Sequence, residues 1–280
     1  MRIINLIEDT KGNKECISAH GLSFYVETAK HKMLLDAGPS SDTLENAKAL
    51  GIDISEIDTV VLSYGHYDHS GGIIPFTKIN DKALIYFQES AKEDYYADDG
   101  ESAIERYRYI GIDKNIVSLS KARIINGDTK IDEEIEVFTI KNRSHKLPST
   151  NKNLLIKKAG SFERDEFNHE HFLVVRENGK SYLLSGCANN GILSILDAYK
   201  SKFNEAPDVV ISGFHLMKKS DYSESEIEET KYIAARADVA PYLKTIVRDG
   251  DLVLTMGAGD IYRTGEELLA ILSAQEDKNE

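Results

Sequence analysis

The chain has 280 residues, with 41% hydrophobic and 29% charged residues, ordinary values for a globular protein that buries a sizeable core. Its 47 acidic and 34 basic residues leave a formal net charge of −13, which opposes non-specific binding to nucleic acid or anionic membrane. The only cysteines, Cys16 and Cys187, lack a paired-spacing motif, so a disulfide framework is not expected and a reducing cytoplasm is the simple reading.

In chain order, Met1–Ile7 is apolar for only a few residues before acids follow, so it reads as a first strand and not as a signal peptide. No run approaches the ~18 apolar residues of a membrane span. Ser23–Thr28 and Met33–Asp36 flank Ala29–Lys32 as a hairpin, and Asp36-Ala37-Gly38-Pro39 then breaks the sheet. Ser41 is placed to cap a helix through Leu50, with Leu44, Ala47 and Leu50 on one face.

The β-branched run Thr59-Val60-Val61-Leu62 reads as a buried strand and leads into Ser63-Tyr64-Gly65-His66-Tyr67-Asp68-His69-Ser70-Gly71-Gly72. In an extended loop His66 and Asp68 share one face and His69 points to the other. Such a loop offers imidazole and carboxylate to two adjacent positions of zinc or a similar divalent ion.

Further strands are expected at Ala83–Gln88, Arg123–Asn126 and Glu136–Ile140. Between the first two, the tyrosine-rich, charged stretch Glu89–Ile110 reads as helical, with Tyr95, Tyr96, Tyr107 and Tyr109 as packing residues. The lysine-rich residues 141–168 read as a mobile loop near the site, and His169 and His171 as half-exposed. Phe172–Arg176 and Ser181–Ser185 form a hairpin across Asn178-Gly179. Two later strand ends repeat the layout of strand, glycine, donor: Gly186-Cys187-Ala188-Asn189 after Ser181–Ser185, and Gly213-Phe214-His215 after Asp208–Ser212. Alone, Cys187 is as well read as a small buried hydrophobe.

These segments resemble the HxHxDH metallo-β-lactamase-fold superfamily. The segments Gly21–Thr28, Leu34–Gly38, Asn46–Ser63, His66–Gly72, Phe167–Val175, Ser185–Ile192 and Gly213–Leu216 are similar to the branch of dihydropterin-ribofuranosylaminobenzene phosphate synthase-like metallo-hydrolases. The resemblance implies an α/β (α+β) fold, a four-layer αββα sandwich, formed by residues 1–280 as one domain. It puts His66, Asp68, His69, Cys187 and His215 on metal-ligand positions, Cys187 in place of the usual bridging aspartate. Two departures remove imidazoles: Tyr64 stands where the first signature histidine belongs, and Asn189 where the branch has a histidine. A neutral phenol, with a reference pKa near 10, is a poor zinc ligand.

The expected cofactor is therefore one divalent ion sooner than two, zinc first, with manganese or iron as alternatives. The expected activity is hydrolysis, or a related transfer, on a small anionic metabolite, with Asp68, Tyr64 and Asn189 in catalytic roles. The alternative is a catalytically degraded relative that acts as a ligand-binding or regulatory module. Neither nucleic acid nor membrane is an expected partner, and the sequence does not fix an oligomeric state. Residues 233–280 depart from the branch, because Ala234–Asp238 and Asp249–Tyr262 look like the C-terminal part of Mur-type amide ligases.

Overall fold

Side chains along the central strands are buried on both faces and alternate between them residue by residue, and that alternation builds the layers. Met33 and Leu35 face one way and Leu34 the other; Val61 and Val60 divide likewise, as do Leu173 and Val175 against Phe172 and Val174. In the computed structural model, which describes residues 1–12, 15–214, 236–247 and 267–272, three sheets result. The first has six strands in the order Arg2–Ile7, Ser23–Glu27, Lys32–Leu35, Thr59–Val61, Leu84–Gln88 and Ala122–Ile125. The second has five: Val209–Ile211, Lys180–Leu184, Phe172–Glu177, Ile135–Phe138 and Thr129–Lys130.

The two sheets pack face to face through Phe24, Val26, Met33, Leu35 and Val61 against Val137, Leu173, Val175 and Leu184. Each fully buried aliphatic here stabilises the fold by about 1.5–3 kcal/mol. Behind the first sheet, Leu34, Val60 and Ile85 meet Leu44 and Ala47 of the helix Asp42–Ala49. Behind the second, Phe172, Val174 and Leu183 meet Ile195 and Tyr199 of the helix Ile192–Phe203. The order is helix, sheet, sheet, helix, the sandwich expected from the sequence. Ser41 does not cap the first helix with its side chain; Ser40 Oγ accepts the Asp42 N–H instead, at 3.1 Å.

Two regions correct the sequence reading. Glu89–Ile110 is not a helix, and residues 141–168 are not one irregular loop. Together they form a third sheet in the order Ser161–Arg164, Leu154–Lys158, Tyr95–Asp98 and Tyr107–Tyr109. Tyr95 and Ala97 are buried while Tyr96 and Asp98 are half-buried, a period of two that defeats a helix. Tyr95 packs inward, as expected of it, and Tyr96 stands in edge contact with Tyr109 and Phe162. Among the described residues no helix is long and apolar enough to cross a membrane. Most of the tail at 233–280, including Asp249–Tyr262, lies outside the described residues.

Candidate metal centre

The first sheet ends at one rim, where strand Lys32–Leu35 runs parallel to Thr59–Val61. Just past its end, Asp36 adopts a left-handed backbone (φ 62°), which turns its carboxylate back under the neighbouring strand. There the Ser63 N–H donates to Asp36 Oδ1 at 2.7 Å and the Ser63 hydroxyl to Oδ2 at 2.6 Å. His69 Nδ1 lies 2.6 Å from the same Oδ2. The Ser63 carbonyl accepts the His171 N–H at 2.9 Å, which ties this rim to the second sheet.

The loop after Ser63 is not extended throughout. His66 has extended dihedrals (φ −110°, ψ 153°), and Tyr67–Ser70 then forms a helical turn. A helix advances about 100° per residue where a strand alternates by 180°, so the expected pairing changes. Asp68 and His69 converge, with Oδ2 3.5 Å from Nε2, whereas His66 turns away to Asp165, its Nε2 3.7 Å from Oδ2. Gly71 closes the turn under the Pro39 carbonyl, where a Cβ would come within 1.9 Å of the oxygen.

Cys187 follows the strand Lys180–Leu184 and reaches the same place: its Sγ lies 3.1 Å from His69 Nε2. Burial pulls the His69 pKa down, but Cys187, Asp36 and Asp68 outweigh it and hold the imidazole well above its ordinary value. Tyr64 is buried at the centre of the cluster, its ring centroid 4.3 Å from that of His69 and 4.7 Å from that of His66. Its hydroxyl reaches Cys187 and the Asn189 side chain, and burial, with Asp68 and Cys187 beside it, pushes the phenol well above its usual pKa. Tyr64, Asp68, His69, Cys187 and Asn189 are thus together; His66 is one ring away, across Tyr64. His215 lies outside the described residues.

His169 and His171 are not half-exposed: both are buried, at 1% and 0%. His169 stacks on Tyr95 with centroids 4.0 Å apart, so the unforeseen third sheet is what covers it. His169 Nε2 lies 2.9 Å from Asp165 Oδ2, and Gly65 N–H donates to His169 Nδ1 at 2.8 Å. Burial lifts the Asp165 carboxyl, but His169 and His66 outweigh it and hold it below the carboxylate range. His66, Asp165 and His169 form a three-donor set whose ligand atoms all lie within 4.8 Å of one another.

Sequence reasoning missed Asp36, Asp165 and Glu170. Glu170 accepts the Asn189 and Asn190 N–H groups, each at 2.8 Å, and so fixes the loop that carries Cys187. Burial raises the Glu170 pKa against those donors. The available signal was an acid flanked by histidines on the approach to a buried strand. His20 adds an exposed imidazole 3.8 Å from Asp68.

Residues 19–226 match the family model described as the metallo-beta-lactamase superfamily. An uncharacterised protein of Methanocaldococcus jannaschii is 33% identical over 226 residues, covering 78% of this chain and 81% of that protein. The 7,8-dihydropterin-6-methyl-4-(beta-D-ribofuranosyl)-aminobenzene-5'-phosphate synthase of the same organism is 27% identical over 232 residues, 78% of each chain. A crystal structure described as a metal-dependent hydrolase of the beta-lactamase superfamily superposes with a TM-score of 0.68 at 27% identity, covering 96% of this chain and 91% of its own. A 40-residue stretch is 48% identical to the UDP-N-acetylmuramate–L-alanine ligase of Desulfosudis oleivorans, 14% of this chain and 9% of the ligase.

Proposed function

This chain belongs to the metallo-beta-lactamase superfamily, and from that premise we propose that it is a metal-dependent hydrolase, or a related transferase, of a small anionic metabolite. One observation carries the reading. The Asp36 carboxylate takes His69 Nδ1, and this leaves Nε2 pointed at Cys187 Sγ and Asp68 Oδ2. A carboxylate on the far ring nitrogen is how proteins orient a metal-binding imidazole. The mixed sulfur, nitrogen and oxygen donors suit one zinc; His215 is the fourth donor expected from the sequence.

The residues fit one ion better than two, because the Tyr64 ring stands between His66 and His69, and Tyr64 and Asn189 supply no imidazole. When bound, the ion supplies Lewis acidity toward a substrate oxygen and makes water more acidic. Asp68 orients the attacking water and accepts its proton; the Tyr64 hydroxyl and the Asn189 amide donate to the developing oxyanion. An anionic substrate agrees with the phosphate in the name of the synthase relative, and a dication offsets the acidity of the chain.

The test is elemental analysis of protein purified without chelator, followed by assays on phosphodiester and ester panels. About one tightly held divalent ion per chain is expected, with turnover lost on chelation and in Asp68→Asn. Two stoichiometric ions overturn the single-ion assignment. Failure to take up zinc, manganese or iron overturns the enzyme reading in favour of a ligand-binding or regulatory module.

A further inference from the structure

Among the described residues four imidazoles are buried around this site, and for three of them the hydrogen bond at the far nitrogen decides what the near nitrogen can do. A neutral imidazole carries one proton, so a ring whose Nδ1 accepts a hydrogen bond carries that proton on Nε2 and has no lone pair there. A metal-binding ring is the reverse: Nδ1–H donates outward and Nε2 is bare.

His69 has the metal-ready arrangement, since its Nδ1 meets a carboxylate that only accepts. His169 has the opposite one, because the Gly65 N–H points at its Nδ1 from 2.8 Å. Its proton therefore sits on Nε2 and is donated to Asp165 Oδ2, 2.9 Å away. His171 follows His169. Gln88 Oε1 accepts the Gly127 N–H at 2.8 Å, which fixes the Gln88 amide orientation. Gln88 Nε2 then faces the Gly127 carbonyl and, at 3.0 Å, His171 Nδ1, so His171 also carries its proton on Nε2.

We infer that the His66–Asp165–His169 triple, despite ligand-like spacing, is not a metal centre, and that His169 is a positioning residue that holds the metal-binding loop through Gly65. Gly65 is pressed on Ala91, whose carbonyl oxygen would lie 2.5 Å from any added Cβ, so no larger residue fits where this N–H meets His169. Asp165 completes the clamp, its Oδ1 accepting the Phe167 N–H at 2.8 Å while Oδ2 holds His169. His66 keeps a buried Nε2 with no hydrogen-bond partner. The ion of the proposed hydrolase, on which this inference rests, then belongs to the thiolate side, with His69, Cys187 and Asp68. A thiophilic ion such as zinc or cobalt is favoured there over magnesium or calcium.

Long-range proton–nitrogen NMR spectra of the ¹⁵N-labelled full chain, recorded before and after zinc, read the tautomers directly. His169→Gln and His171→Gln assign two of the rings. His169 and His171 are expected as Nε2–H in both states, and His69 as keeping Nδ1–H in both while Nε2 gives up its proton for the ion on loading. Glutamine also places an oxygen toward Gly65 and an amide toward Asp165, so His169→Gln keeps zinc affinity. His169→Ala, which orphans the Gly65 N–H, weakens it about 10–100-fold.

Cobalt-loaded protein should show a sulfur-to-metal charge-transfer band that Cys187→Ser removes. A shift of His169 Nε2 on loading, loss of zinc in His169→Gln, or cobalt bound without the sulfur band overturns the inference. Protein that takes up no metal defeats the hydrolase reading instead, while the metal-free tautomers still decide the role of His169.

Discussion

Among the described residues two segments supply the buried histidines of this site, and they use the same ring in opposite ways. After the first-sheet strand, a carboxylate 33 residues upstream takes the far nitrogen of His69 and leaves the near one facing Cys187 and Asp68. On the approach to Phe172–Glu177, a backbone N–H and a side-chain amide occupy the far nitrogens of His169 and His171. Histidine content alone therefore does not mark a ligand; the chemistry of the second partner does. Spacing nominates the triple at His66, Asp165 and His169, and hydrogen bonding argues against it.

The largest effect expected is from breaking the His69 side. Asp36→Ala leaves Ser63 N–H, the Ser63 hydroxyl and His69 Nδ1–H without their shared acceptor in a fully buried place. A loss of about 3–5 kcal/mol in urea unfolding is expected, the range for one member removed from a buried polar pair. Zinc affinity, read in parallel, should fall by about 10–100-fold. An Asp36→Ala protein with parental stability would show that the carboxylate neither orients nor anchors His69.

The other side is broken by acid. Burial pulls the His171 pKa down from 6.5 to about 4, with the Leu62 carbonyl pulling up and His169 pulling down. A group whose folded-state pKa is depressed stabilises the fold above its unfolded value and loses that contribution as pH falls through the folded one. Between pH 6.5 and 4 the unfolded chain binds the extra proton, so stability should decline by about 3 kcal/mol across that window. Unfolding free energies measured at a series of pH values should show this slope, and His171→Gln should flatten it. An equal slope in both proteins would assign the acid sensitivity elsewhere.

Glu170 links the two segments. Glu170→Gln keeps one acceptor oxygen and turns its NH2 toward the other pair of donors, the N–H and side-chain amide of either Asn189 or Asn190. About 2 kcal/mol of stability should go, within the range of hydrogen bonds to a charged group. Because that loop carries Cys187, the cobalt charge-transfer band should weaken in step. An unchanged band with the stability lost would mean that the loop holds Cys187 without Glu170.

How much of this was legible in the sequence follows the same division. Motifs that sit at the end of their own strand could be read locally, as His66–Gly72 and Gly186–Asn189 were, because strand period and glycine fix where the donors emerge. The hydrogen bonds that decide ligand from donor could not. Asp36 was visible only as a turn signal, and Asp165 is four residues from His169 but about a hundred from His66 along the chain. The third sheet escaped because Tyr95–Asp98 finds its partner in Leu154–Ile156, nearly sixty residues on. A short strand that alternates one buried and one half-buried tyrosine has no local template, and the charges around it read as a solvated helix.

The smallest effect expected separates ring from hydroxyl at Tyr64. If the ring is what keeps the halves apart, Tyr64→Phe should leave the ion count unchanged and cost about 1 kcal/mol, the net worth of a buried hydroxyl that faces Cys187 and Asn189. The ring of phenylalanine still fills the space between His66 and His69. Tyr64→His with Asn189→His removes that ring and restores two imidazoles, and a second ion per chain is then expected by elemental analysis. Should the double variant stay at one ion, the barrier to a second metal is not the ring, and the Nε2 proton of His169 becomes the sufficient cause. Should Tyr64→Phe itself gain an ion, the hydroxyl was the obstacle, and the division of the cluster by the tyrosine ring is wrong.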